Sequence, residues 1–142
     1  MFEGYRAMKS RDALIRLKRF EVEERRRKVA EIESMIGEFG QMAADLDRQI
    51  AIEQERAGIA DVNHYAYPTF AKAALQRRNN LTASAADLAA KLAAAKGEFD
   101  EACEDLKKIE QLEERDAERI RLEQGRNSSA ELDVVGAQRV AS

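Results

Sequence analysis

The sequence predicts an all-α protein, two long helices forming an antiparallel coiled-coil hairpin. Two seven-residue apolar repeats, one on each side of the chain's single proline, are the first reason. The composition is the second: 36% of the residues are charged, 6% are aromatic, and Trp is absent. The apolar share is swollen by alanine, so the interior is expected to be a thin seam and not a globular core. The third is the charge distribution, which sets a basic beginning against an acidic stretch far along the chain.

Within residues 1–124 the predicted elements are a helix over 10–57, a loop over 58–68 and a helix over 69–123. In the first helix, Ile15, Val22, Val29, Ile36, Ala43, Ile50 and Ala57 recur at steps of seven without a miss. Three residues after each of the first six come Lys18, Arg25, Ile32, Phe39, Leu46 and Glu53. The second core position is therefore apolar only in the middle of the segment. In the second helix, Ala74, Leu81, Leu88, Ala95, Ala102 and Ile109 form one series; Ala85, Leu92, Phe99, Leu106 and Ile120 form the other, interrupted by Glu113. At about 1.5 Å per residue the two helices would be roughly 70 and 80 Å long, and neither can bury its stripe alone.

Gly58 is the expected stop of the first helix, and Pro68 suits the first turn of the second. Thr69 and Asp61 are both candidate N-caps. The run ASAADLAAKLAAA, residues 83–95, holds eight alanines in thirteen residues, and Gly37 and Gly40 fall at about the matching height on the first helix. A close approach or bend at these glycines and a tolerated surface position remain the two readings, since Gly within a helix costs up to about 1 kcal/mol relative to Ala. From Gly125 the repeat is lost, and residues 125–142 are expected to form a flexible tail.

Charge gives the pairing a direction. Residues 1–30 hold ten Lys/Arg against five Asp/Glu, and residues 98–124 hold five against eleven, so folding the hairpin brings local balances of +5 and -6 together. Each exposed ion pair contributes only a fraction of a kcal/mol, so the asymmetry bears on register more than on stability. With a loop midpoint near residue 63, Lys18 and Arg25 would lie near Asp105 and Glu101.

Overall net charge is -3, which disfavours nucleic acid as a partner. The start of the sequence lacks the apolar core of about 7–15 residues that a secretory signal uses. No stretch approaches the roughly 18 uninterrupted apolar residues that span a bilayer. A cytoplasmic protein, peripheral to the membrane only through partners, is the expectation. Phosphate-binding loops and GxGxxG are absent, and one His with one Cys leaves little for a zinc site or a nucleophile–base pair. No enzymatic activity, metal or cofactor is expected, and Cys103, next to a core position, reads as a small half-buried apolar residue.

Two regions stand out as candidate binding surfaces. EERRRK, Glu23 to Lys28, is a concentrated basic run, read as a solvated face, a protein-docking face or a nucleic-acid contact. Tyr65, Tyr67 and Phe70 are three of the eight aromatics, gathered where a two-stranded coil offers no deep core. Packing within the loop and a partner-binding patch are the two readings. His64 beside them reads as a loop residue.

The stretch MKSRDALIRLKRFEVEERRRKVAEIE, residues 8–33, the break HYAYPTFAKAALQRRNNL and the second heptad helix resemble the flagellar export protein FliJ family in its alphaproteobacterial form. The likeness covers residue 8 to about residue 123. It implies a cytoplasmic component of the flagellar type III export apparatus, similar to the central stalk of rotary ATPases. Such a protein would insert its terminal end into the ring of the export ATPase FliI, contact the export gate protein FlhA and take part in export-chaperone cycling. Carried onto this sequence, the ring contacts would be Arg11, Arg16, Lys18, Arg19, Arg25, Arg26 and Arg27. The gate contact is placed on Tyr65, Tyr67 and Phe70 by their position at the tip. The alternative is a coiled-coil adaptor or export chaperone that binds secretion substrates along its flank.

Overall fold

A computed structural model of the chain describes residues 2–141, with side chains described at 4, 6 and 9–137. The fold is all-α. Helix α1 spans Phe2–Ala57 and helix α2 spans Thr69–Ala141, joined by one loop, and the two pair as an antiparallel hairpin. The chain divides into two compact units, one of residues 23–100 and one of residues up to Val22 together with those from Glu101 onward.

In the loop-bearing unit, the seam is built from the predicted heptad positions together with Ala71. Ile32 and Ile50 of α1 and Ala71, Ala74 and Ala95 of α2 are buried, while Val29, Ile36, Phe39, Leu46, Leu81, Ala85, Leu88 and Leu92 are half-buried. Two helices alone cannot enclose a side chain on every side, so partial exposure at core positions is the normal state of such a seam. Arg25 Nη1 and Lys28 Nζ lie 3.2 and 3.6 Å from Glu98, Lys96 Nζ lies 3.8 Å from Glu33, and Arg78 Nε lies 3.2 Å from Asp47. Each of these pairs is centred within about two residues of Asn63, in the middle of the 58–68 loop. The Arg78 Nε contact is close without being an aligned hydrogen bond, so this buried atom has charge complementarity and no directed partner.

The loop is fixed by local polar contacts. Gly58 ends α1 at φ 67°, a left-handed conformation that glycine adopts without a Cβ penalty, and its N–H donates to the Glu55 carbonyl at 3.3 Å. Asp61 uses its carboxylate to accept the Asn63 N–H at 2.9 Å and its carbonyl to accept the His64 N–H at 3.0 Å. This is an Asx turn, so Asp61 serves the loop and not the start of α2. Nor is Thr69 the cap: the Pro68 carbonyl accepts the first helical N–H, from Lys72, at 3.0 Å, which puts Pro68 at the N-cap and Thr69 inside the helix.

In the unit that contains both helix ends, Ile15, Val22 and Ala102 are buried, and Leu106, Ile109 and Ile120 are half-buried. Interspersed with these apolar positions are partly buried polar ones: Arg11 and Lys18 on α1, Glu113 and Asp116 on α2. Arg11 pairs with Asp116, each about a quarter exposed, and Arg19 Nε reaches Glu110 at 3.5 Å.

Further expectations are corrected. Helix α1 starts at Phe2 and not at residue 10, and α2 does not stop at residue 123 but continues to Ala141. Helical hydrogen bonds do not require a seam, and the 125–141 segment has no proline to interrupt them. Loss of the heptad marks the end of pairing, and every described side chain from Arg121 to Ala137 is exposed. Thirdly, Arg25 meets Glu98 and not Glu101, while Lys18 Nζ turns to Glu21 at 3.4 Å within its own helix and not toward Asp105. Of the two readings of Gly37 and Gly40, the tolerated surface position holds: both are exposed, with nothing within 4 Å of where a Cβ would stand, so no close helix approach depends on them.

Candidate functional site

The basic residues singled out by the sequence lie on α1 and are largely engaged within the chain. In the unit with the helix ends, Arg11 bonds Asp116, Lys18 bonds Glu21 and Arg19 pairs with Glu110. Arg16 is exposed and makes no ion pair among the described residues. In the loop-bearing unit, Arg25 donates to Glu98, Arg26 lies 3.8 Å from Glu23, and Arg27 lies 3.4 Å from Glu24. The Arg26 guanidinium also sits 5.6 Å from the centre of the Phe99 ring, a cation–π contact across the seam. Pairs one turn apart on an exposed face are weak, so these cations exchange partners at little cost.

The polar end of the seam has its own electrostatics. Asp116 is held below the usual carboxylate range by the hydrogen bond from Arg11, whose charge adds to the effect. Glu113 is pushed up by its hydrogen bond with the Asp12 carboxyl, with desolvation and the Asp12 charge adding to it and Arg11 and Arg19 opposing. A like-charged pair faces a matched pair at neighbouring positions, where the loop-bearing unit has alanine, leucine and isoleucine.

At the loop the three aromatics separate. Tyr67 is buried, and its hydroxyl accepts a hydrogen bond from Gln54 Nε2 at 2.9 Å, so it closes the end of the seam. Tyr65 is 96% exposed and stacks on His64 with ring centroids 4.7 Å apart; Phe70 is 57% exposed. The His64 ring is itself held, since its Nδ1 accepts the Ala66 N–H at 3.0 Å. Tyr65 is thus presented to solvent by a loop braced by local hydrogen bonds, and Phe70 by the first turn of α2.

No family model, curated protein or solved structure matches the chain. Among the described residues no group of three or more His, Cys, Asp or Glu is placed to hold a metal ion. No helix among them is long and apolar enough to cross a membrane. Cys103 is a half-buried free thiol.

Sequence reading missed several residues that shape these surfaces. Leu14, Leu17 and Phe20 on α1 and Leu112 on α2 are large, apolar and exposed. They fall outside the heptad series, and a second apolar periodicity on α1 was the available signal. Gln54, partner of Tyr67, had none.

Proposed function

We propose that this chain is a non-enzymatic stalk of the flagellar type III export apparatus. In this reading it binds and stimulates the export ATPase ring, FliI, and contacts the export gate, FlhA. The observation that carries the reading is a hairpin whose seam is thin and whose flanks are tied across the helices by ion pairs such as Arg25–Glu98 and Arg19–Glu110. A charged, stiff helix pair makes weak and changeable contacts with a surrounding ring while resisting bending, and this supports the likeness to the FliJ family. Arg11, Arg16, Lys18, Arg19, Arg25, Arg26 and Arg27 are assigned to the ATPase, and the exposed Tyr65 and Phe70 to the gate. Tyr67, being part of the seam, supports them from within.

The test is to add purified chain to the ATPase of the same organism. The expected result is a stimulated rate and enhanced ring assembly, with no hydrolysis by the chain alone. Replacing Arg25, Arg26 and Arg27 together by Glu should abolish stimulation while leaving the helical circular dichroism intact. No change in rate or assembly at stoichiometric protein contradicts the proposal. A second reading, an adaptor or export chaperone, is favoured by the exposed Leu14, Leu17 and Phe20; retention of a hook or filament subunit, and not the ATPase, in a defined pull-down would establish it.

A further inference from the structure

In the unit that carries both helix ends, α1 has two apolar faces. Ile15 and Val22 supply the one buried against α2. By helical spacing, Leu17 and Phe20 stand on the side turned away from it, with Leu14 at its edge. Leu14, Leu17 and Phe20 are 40, 52 and 60% exposed, apolar surface that a covering element would remove from water.

Ser10, Ala13, Leu14 and Leu17, with Arg11, line a shallow depression. The spacing of the first four, i, i+3, i+4 and i+7, is the four-residue outline into which a helix inserts one side chain when two helices interlock. Small side chains at Ser10 and Ala13 leave room for that insertion.

The charge around the depression is predominantly positive. Between Gly4 and Phe20, α1 carries Arg6, Lys9, Arg11, Arg16, Lys18 and Arg19 against Asp12 alone. Of these, Arg6, Lys9 and Arg16 fall on the outer side, and Arg6 and Arg16 are exposed without an ion pair among the described residues. A second copy of the chain docked through the same face would set these cations against their counterparts, which is repulsive. A bilayer surface would meet the cations but has no protruding side chain to fill the four-residue outline.

We propose that the outer face of α1 over residues 6–20 docks an α-helix of a partner protein. The partner's apolar ridge would enter the Ser10–Ala13–Leu14–Leu17 depression, with Asp or Glu on its flanks facing Arg6 and Arg16. This holds independently of the export reading, because it specifies the chemistry of the docked helix and not the protein that bears it.

The experiment titrates full-length chain into a dye-labelled designed helical peptide, with Leu at both core positions of each heptad and Glu at the flanking positions. A matched peptide with Lys at the flanks, and phosphatidylglycerol-containing vesicles, run in parallel. Saturable binding of the Glu peptide is expected, weakened about tenfold or more by exchanging its Glu for Lys, equivalent to about 1.4 kcal/mol. Leu17→Asp and Arg16→Glu should each weaken it comparably while circular dichroism stays unchanged, since both positions are exposed. Absence of binding, or binding indifferent to Leu17→Asp, overturns the proposal. Preference for the vesicles, or self-association abolished by Leu17→Asp, overturns it in favour of a lipid surface or a second copy.

Discussion

Tyr65 and Tyr67 stand two residues apart in one loop and have opposite environments. Tyr67 fills the end of the seam and accepts from Gln54, whereas Tyr65 meets only the His64 ring and solvent. Tyr67→Phe is expected to cost about 0.5–1.5 kcal/mol, the usual net value of one hydrogen bond. Tyr67→Ala should cost several times more, about 3 kcal/mol or above, and Tyr65→Ala close to nothing; urea midpoints of the three variants check the order. The sequence put the two tyrosines in one cluster because a loop has no periodicity from which to read an inward side. The polar seam end makes a prediction of opposite signs for neighbouring carboxylates. Asp116, with its depressed pKa, stabilises the fold above the ordinary carboxylate value, and that contribution is lost as pH falls through the depressed value. Glu113, with its raised pKa, contributes below the ordinary value, and its contribution is lost as pH rises through the raised one. Asp116→Asn should therefore lower the urea midpoint at neutral pH more than in acid, and Glu113→Gln should preserve or raise it at neutral pH. A pH series of denaturation midpoints tests both signs.

The two helices were legible where the heptad was unbroken and not beyond it. A repeat records burial, so it gave the seam from Ile15 to Ile50 and from Ala74 to Ile109 and was silent on helix that nothing covers. That silence accounts for the early start at Phe2 and the continuation to Ala141. Deleting residues 125–142 should leave the denaturation midpoint of the remainder unchanged while reducing the helical circular dichroism, because the described side chains there make no buried contact. Gly37 and Gly40 carry a similar lesson. Their alignment with the alanine run suggested close packing, yet both face open space. Gly37→Ala and Gly40→Ala should each stabilise the protein by roughly 0.5–1 kcal/mol, the helix-propensity difference, measurable as a rise in urea midpoint. A fall would mean that one of these positions is covered after all.

At the scale of the molecule, the all-α hairpin follows from a chain that can bury its two stripes only against each other. The one turn is set by Gly58, the Asp61 Asx turn and Pro68. The basic beginning and acidic later stretch were readable as a direction for the pairing, and the ion pairs of the loop-bearing unit fall on the register that a loop midpoint near residue 63 implies. Individual partners were not readable, since a long side chain such as that of Arg25 reaches up or down a turn with little difference in energy. The binding surfaces were legible only in part. Basic residues were visible in the sequence, but which of them α2 engages, and that Leu17 and Phe20 face outward, follow from three-dimensional placement. The central claim is that α1 and α2 zip together antiparallel within one molecule, and pulsed electron resonance tests it directly. Spin labels at Glu33→Cys and Lys96→Cys, in a Cys103→Ser background, should show one narrow distance of about 10–20 Å, consistent with helix axes about 8–10 Å apart, unaffected by dilution with unlabelled chain. A long or broad distribution, or a short distance that disappears on that dilution, would contradict it.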